Sequence, residues 1–201
     1  MFTMLNLLTS NTTIVMPSKV SCIEDEYALL EAIVLGDMRA FECFYKLYYP
    51  RLYRFILRTT RQPDVVEELI QETLLLIWQK PEHFNHESKI STWVFGIAYR
   101  KSLKVLSKSS KHIEDVDLDE LSELIDDPMA KLAENAEALD WLNASLEQLS
   151  ADQRAVIELT FIQGLSYLEI AEILDCPENT VKTRMFHARK KLQAFAAAQE
   201  Q

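Results

Sequence analysis

Glycine and proline are scarce in this 201-residue chain, with three and six residues respectively. That scarcity excludes folds built on many tight turns, such as a β-sandwich or barrel, and fits helices joined by short connections. Cysteine is sparse as well. Cys22, Cys43 and Cys176 are odd in number, far apart and form no C-x-x-C pair, which excludes a disulfide framework and a cysteine zinc site and points to a reduced, cytoplasmic setting. No stretch reaches the roughly 18 apolar residues that a membrane span requires. Met1 to Met16 carry no Lys or Arg and are interrupted by Asn6, Thr9, Ser10 and Asn11, so they read poorly as a signal peptide. Residues 1–23 are expected to be a disordered extension outside the fold.

What is present is unevenly distributed. The formal net charge is −10, but residues 1–36 carry −3, residues 37–112 carry +5, residues 113–147 carry −11 and residues 148–201 carry −1. Two segments with basic faces therefore flank a very acidic one, and the average hides a cationic signature of the kind nucleic-acid binders show. Residues 179–195 hold five cations, Lys182, Arg184, Arg189, Lys190 and Lys191, and no anion.

Helical periodicity organises the first basic segment. Leu29, Leu30, Ile33 and Val34 recur at helical spacing, and Gly36 with Asp37 supplies a stop and a new N-cap. The run Phe41, Phe44, Tyr45, Tyr48, Tyr49, Leu52, Tyr53, Ile56 and Leu57 predicts a core-facing helix that Pro50 kinks or divides, its aromatics serving packing. Pro63, Asp64 and Glu67 predict a capping-box start for a helix to about Gln79. Val66, Leu69, Ile70, Thr73, Leu74 and Ile77 share one face of it. Opposite them Glu68, Gln71, Glu72, Leu75 and Gln79 form a second stripe, either a solvated face or, because a leucine sits among polar groups, a partner surface. A basic amphipathic helix is expected from Ser91 to about Lys108, with Trp93, Val94, Ile97, Ala98, Leu103 and Leu106 apolar. Residues 113–138 lose hydrophobic density and read as an acidic flexible linker.

The C-terminal part carries the sharpest local pattern. Ser150 with Gln153 and Ser166 with Glu169 are two capping boxes, and Gly164 closes the helix between them. After the turn at Asp175 to Glu178 a third helix is predicted from about Asn179. It turns Val181, Met185, Ala188 and Leu192 inward and leaves Lys182, Thr183, Phe186, His187 and Lys190 outward. Two helices, a short turn and a basic third helix are the layout of a helix-turn-helix, which offers its second element to the major groove. An incidental cationic face is the plainer reading.

With both ends read, the chain resembles bacterial sigma factors of the extracytoplasmic-function (ECF) group, over about residues 24 to 195. Val66-Glu67-Glu68-Leu69-Ile70-Gln71-Glu72-Thr73-Leu74 with Trp78 is similar to that family's A-E-D-L-x-Q-E-x-F…W segment. Ile90-Ser91-Thr92-Trp93-Val94-Phe95-Gly96-Ile97-Ala98 is similar to its F-x-T-W-L-x-x-I-A segment. Thr180-Val181-Lys182-Thr183-Arg184-Met185-Phe186-His187-Ala188-Arg189-Lys190-Lys191-Leu192 resembles its T-V-K-S-R-x-x-R-A-R-x-x-L. The resemblance implies an all-α protein of two small helical domains, a sigma region 2 bundle at 24–112 and a region 4 helix-turn-helix at 139–195, with a short tail at 196–201.

The resemblance further implies a transcription initiation factor that directs core RNA polymerase to promoters, under anti-sigma control in a stress or envelope response. It assigns Glu68, Gln71, Glu72 and Leu75 to the polymerase clamp. Asn85, Lys89, Trp93, Arg100, Lys101 and Lys104 would face the minus-ten strand, where extracting a base costs a few kcal/mol of unstacking and needs cations for the single strand. Lys182, Thr183, Arg184, Phe186, His187, Arg189 and Lys190 would serve the minus-thirty-five element. Arg100, Lys104 and His187 stand where the family often has Asn, Asp and Arg, and a histidine there makes one charge depend on pH. No catalytic residue, metal or cofactor is implied, and no membrane insertion. A helix-turn-helix repressor would leave the Gln71-Glu72 stripe and the Thr92-Trp93 helix without a role. An enzyme would rest on His83-x-x-His86-Glu87, which has no further ligand group at matching spacing.

Overall fold

The computed structural model describes residues 25–108 and 144–199. The expected extension at 1–23 and the acidic linker at 113–138 lie outside the described residues. Every regular element among those described is helical: α1 (Glu26–Val34), α2 (Met38–Thr60), α3 (Pro63–Gln79), a 3₁₀ turn (Pro81–His83), α4 (Ile90–Lys108), α5 (Ala151–Phe161), α6 (Tyr167–Ile173) and α7 (Glu178–Gln199).

The junction of α1 and α2 follows the local chemistry of its residues. Gly36 takes the left-handed φ of +81° that a side chain resists, and the Asp37 carboxylate accepts the Arg39 backbone N–H at 2.8 Å. The following helix is not divided: α2 runs unbroken through Pro50. An interior proline costs about 3 kcal/mol, whereas each fully buried large apolar side chain gains roughly 1.5–3 kcal/mol. Phe44, Tyr48, Leu52, Phe55 and Ile56 are all completely buried, so tertiary packing overrides the break. The aromatics separate into two sets. Phe44 and Tyr48 stack in the core at 4.5 Å, while Tyr45, Tyr49 and Tyr53 form a half-buried ladder on the flank.

Two further expectations are corrected. The capping box at the start of α3 is absent. Gln62 is the N-cap and makes no side-chain cap bond, and Pro63 opens the helix at N1, so Asp64, the expected cap, lies inside the first turn; Glu67 instead accepts the Tyr49 hydroxyl. In α4, Leu103 is exposed and Leu106 half-buried, while Ile90 through Ala98 are buried almost all round, with only Trp93 half-exposed. A helix buried on nearly every side has a second neighbour, and that neighbour is α6.

The C-terminal half keeps both predicted capping boxes, at Ser150–Gln153 and Ser166–Glu169. It begins α7 at Glu178 and continues it to Gln199, past residue 195 where the helical unit was expected to end. The two halves do not stand apart. Helix α5 lies along α2 and α6 lies along α4, and one continuous core runs from Leu29 and Phe44 through Phe95 to Leu159, Ile170 and Met185.

Candidate polymerase and nucleic-acid interfaces

Helix α3 sorts its residues as its periodicity demands. Val66, Leu69, Ile70, Thr73, Leu74 and Ile77 are buried, so the opposite stripe of Glu68, Gln71, Glu72, Leu75 and Gln79 is turned outward. Leu75 is 51% exposed amid polar neighbours. Lys101 of α4 donates to Glu72 at 2.7 Å, and that bond, supported by the charges of Lys104 and Lys108, holds the Glu72 carboxyl below its ordinary value. The stripe is therefore an acidic and amide surface edged by cations from the next helix.

The loop before α4 places the second group. Phe84 is buried and centres an aromatic cluster, with Trp93 at 5.4 Å and His86 edge-on at 4.7 Å. Asn85 accepts the Glu87 backbone N–H at 3.1 Å, which closes the loop as an Asx turn. Trp93 is thus half-buried against Phe84 rather than free, and Arg100 and Lys104 are exposed. The Arg100 guanidinium folds back to within 3.4 Å of where a Cβ on Gly96 would lie. Lys89 reaches across to Glu169 of α6 at 2.6 Å. Burial of Glu169 opposes its ionisation, but the Lys89 and Ser166 hydrogen bonds prevail and hold its carboxyl low.

On α7, Val181, Met185 and Ala188 are buried and Lys182, Thr183, Phe186, His187, Arg189 and Lys190 are exposed, the inward and outward sets that the helical period predicts. Phe186 is 64% exposed. Lys182 pairs with Glu178 one turn earlier at 2.8 Å, and the Arg189 guanidinium lies 5.7 Å over Phe161. Arg184 points the other way: it is half-buried and ion-paired to Asp152 of α5.

His83, His86 and Glu87 are all exposed, and no group of three His, Cys, Asp or Glu side chains placed to hold a metal occurs among the described residues. Likewise no described helix is long and apolar enough to cross a membrane.

Periodicity gave no sign of the polar network between the halves. Arg58 of α2 donates to Glu158 of α5 at 2.7 Å, and Arg154 donates to the carbonyls of Arg58 at 2.7 Å and Thr59 at 3.1 Å. Tyr99 of α4 donates to Asp152 at 2.7 Å. The one signal in the sequence is that Arg154 and Glu158, four residues apart, share the face of α5 that carries Ala155 and Leu159. That spacing shows charges beside a core without naming what they meet.

An all-helical chain with such faces at both ends matches two family models, Sigma-70 region 2 over residues 44–112 and Sigma-70 region 4 over residues 139–192. It belongs to the sigma-70 family of transcription initiation factors, whose members are not enzymes. Its relatives place it in the ECF group. An ECF RNA polymerase sigma-E factor of Haemophilus influenzae is 26% identical over 187 residues, covering 84% of this chain and 93% of its own. The ECF RNA polymerase sigma factor SigM of Bacillus subtilis is 27% identical over 151 residues, covering 75% and 91%. Among solved structures, the sigma factor RpoE of Bartonella quintana in complex with the anti-sigma factor NepR aligns with a TM-score of 0.63 and 27% identity, over 80% of this chain and 98% of that one.

Proposed function

We propose that this chain binds core RNA polymerase through the α3 stripe and directs it to promoters with the loop Asn85–Lys89, α4 and α7. The observation that carries the reading is the Glu68, Gln71, Glu72 and Leu75 face, exposed on a helix whose other side is wholly committed to the core. A repressor has no use for such a face beside a second nucleic-acid surface. Trp93, Arg100, Lys101 and Lys104, with Asn85 and Lys89, would serve the minus-ten strand, where a flipped base needs an aromatic platform and cations. Lys182, Thr183, Phe186 and His187 would read the minus-thirty-five element, with Arg189 and Lys190 on its phosphates. The nucleotide chemistry then belongs to the polymerase, and this chain acts without catalytic residues or cofactor, in the cytoplasm where promoters are. Control by an anti-sigma factor is inferred from the relative crystallised with one.

The test is a pull-down with core polymerase using the Gln71→Ala, Leu75→Arg double variant. Both side chains lie opposite the core, so stability should change by no more than about 0.5 kcal/mol, while polymerase binding is lost. Retained binding by a folded variant refutes the assignment of the stripe.

A further inference from the structure

A groove of about 580 Å³ runs along α1 and is bounded on its far side by the 3₁₀ turn. Leu30, Pro81 and Phe84 are buried beneath it, and Tyr27, Val34 and Leu35 stand exposed along its edge. Leu35 is 88% exposed and Val34 55%. The core face of α1 is already supplied by Leu29, Leu30 and Ile33, so no role in the core explains the edge residues. A contiguous apolar patch of this kind marks a binding surface. Its polar lining is Glu31, Glu82 and His86.

Size and charge select the occupant. The three edge side chains present a few hundred Å², whereas a stable interface between two proteins buries about 800 Å² on each partner, so the patch suits one tethered segment better than a second copy of the chain. Glu31 and Glu82 repel an acidic segment, which sets aside residues 113–147 with their charge of −11. Residues 1–16 hold no charged side chain, and five of the seven residues from Phe2 to Leu8 are large and apolar. Residues 9–24 join that stretch to the start of α1. Their covalent reach is up to about 50 Å, against a length of about 14 Å for the nine-residue α1, so Phe2–Leu8 can reach any point of the groove. A tether of that length also keeps the local concentration on the order of millimolar, at which even weak apolar contacts fill the groove.

We infer that Phe2–Leu8 docks in the α1 groove rather than standing outside the fold, and that by covering Phe84 it braces the loop Asn85–Lys89. Phe84 links the two. The Tyr27 ring lies 6.1 Å from it at the groove, while Trp93 and His86 pack against it at 5.4 and 4.7 Å. The turn that carries Phe84 is held by two backbone bonds, from the His83 N–H to the Lys80 carbonyl and from the Phe84 N–H to the Pro81 carbonyl, each 3.1 Å. A single 3₁₀ turn held so lightly opens easily unless something covers it. The bracing role rests on the promoter-reading function proposed above, whereas the docking does not.

Hydrogen exchange followed by mass spectrometry on the full chain tests the docking at residues 81–86. The variants are a segment triple, Phe2→Ser with Leu5→Ser and Leu8→Ser, a groove double, Val34→Ser with Leu35→Ser, and the two sets combined. Each set alone should speed exchange at 81–86 several-fold, and the combination should be no faster than either, because both remove one contact. Parental exchange in the segment triple, or effects of the two sets that multiply, overturns the docking. Protection that falls as the parent is diluted, with a dimer in sedimentation velocity, puts a second copy in the groove and overturns it as well. Promoter opening with core polymerase, read by permanganate reactivity of minus-ten thymines on a pool of genomic promoter fragments, should fall several-fold in the segment triple. Coupled exchange with unchanged opening overturns the bracing role. If the parent itself opens no promoter, the sigma reading fails, and the exchange cycle still decides whether the segment docks.

Discussion

Replacing Arg154 by Met isolates what the buried guanidinium contributes. The side chain is 8% exposed and makes three bonds to backbone carbonyls, to Arg58 at 2.7 Å, Thr59 at 3.1 Å and Leu149 at 2.5 Å. Burial and the nearby Arg61 lower its pKa to about 10, which leaves it charged at neutral pH. A hydrogen bond to a charged group is worth about 1.5–3 kcal/mol net, so three of them amount to roughly 4–9 kcal/mol. Methionine fills the apolar stem and spares the desolvation of a cation, an offset of several kcal/mol. About 3 kcal/mol of net destabilisation should remain, because the three carbonyls lose their partner and methionine offers no donor. For a chain of this size that corresponds to a fall in melting temperature of about 6–12 °C. Urea denaturation followed by circular dichroism measures it. Arg154→Lys keeps the charge but cannot span carbonyls on both sides of the junction, so it should fall much closer to Met than to the parent. A loss under about 1 kcal/mol for Met, or full stability for Lys, refutes the reasoning.

Three other outcomes are expected. Lys182→Ala should cost about 1–3 kcal/mol of promoter binding and relax discrimination at one position if the lysine contacts a base edge, or lower affinity evenly if it contacts phosphate; a promoter titration with polymerase distinguishes these, and an unchanged titration excludes both. Ser150→Ala removes the side-chain half of a complete capping box and should lower stability by about 1 kcal/mol in thermal denaturation. Lys101→Met should bring the Glu72 titration, followed by carboxyl NMR, back up towards its ordinary value. Because the folded state holds Glu72 low, the small stability this pair adds is present above the ordinary carboxylate range and fades as pH falls through it; an unmoved titration shows that Lys101 is not the cause.

The candidate faces were legible in the sequence because helical period fixes sidedness. On α3 the residues at spacings of three and four became the buried face without exception, and the exposed stripe follows by subtraction. The same holds for Val181, Met185 and Ala188 on α7. The Asp37 cap and the boxes at Ser150 and Ser166 were legible too, since a cap is a contact between residues two or three apart. Local rules misled where tertiary energy outweighed them. Pro50 signals a break, but five fully buried large apolar side chains along α2 outweigh its cost. Asp64 and Glu67 spell a cap, but the helix starts one residue earlier, at Pro63, and takes Asp64 into its first turn.

How the halves meet was not legible at all. Arg58 and Glu158 are 100 residues apart and Tyr99 and Asp152 are 53 apart, and no periodicity links positions so distant. Each reads in isolation as an ordinary surface charge or a core tyrosine. The sequence by itself determined which face of each helix is apolar and where most helices start. Only the tertiary structure decided that α5 covers α2 and α6 covers α4. That choice depends on apolar faces from both halves closing one core and on Arg58, Glu158 and Arg154 meeting across the junction of α2 and α5, a property of the pair that neither segment of sequence carries alone.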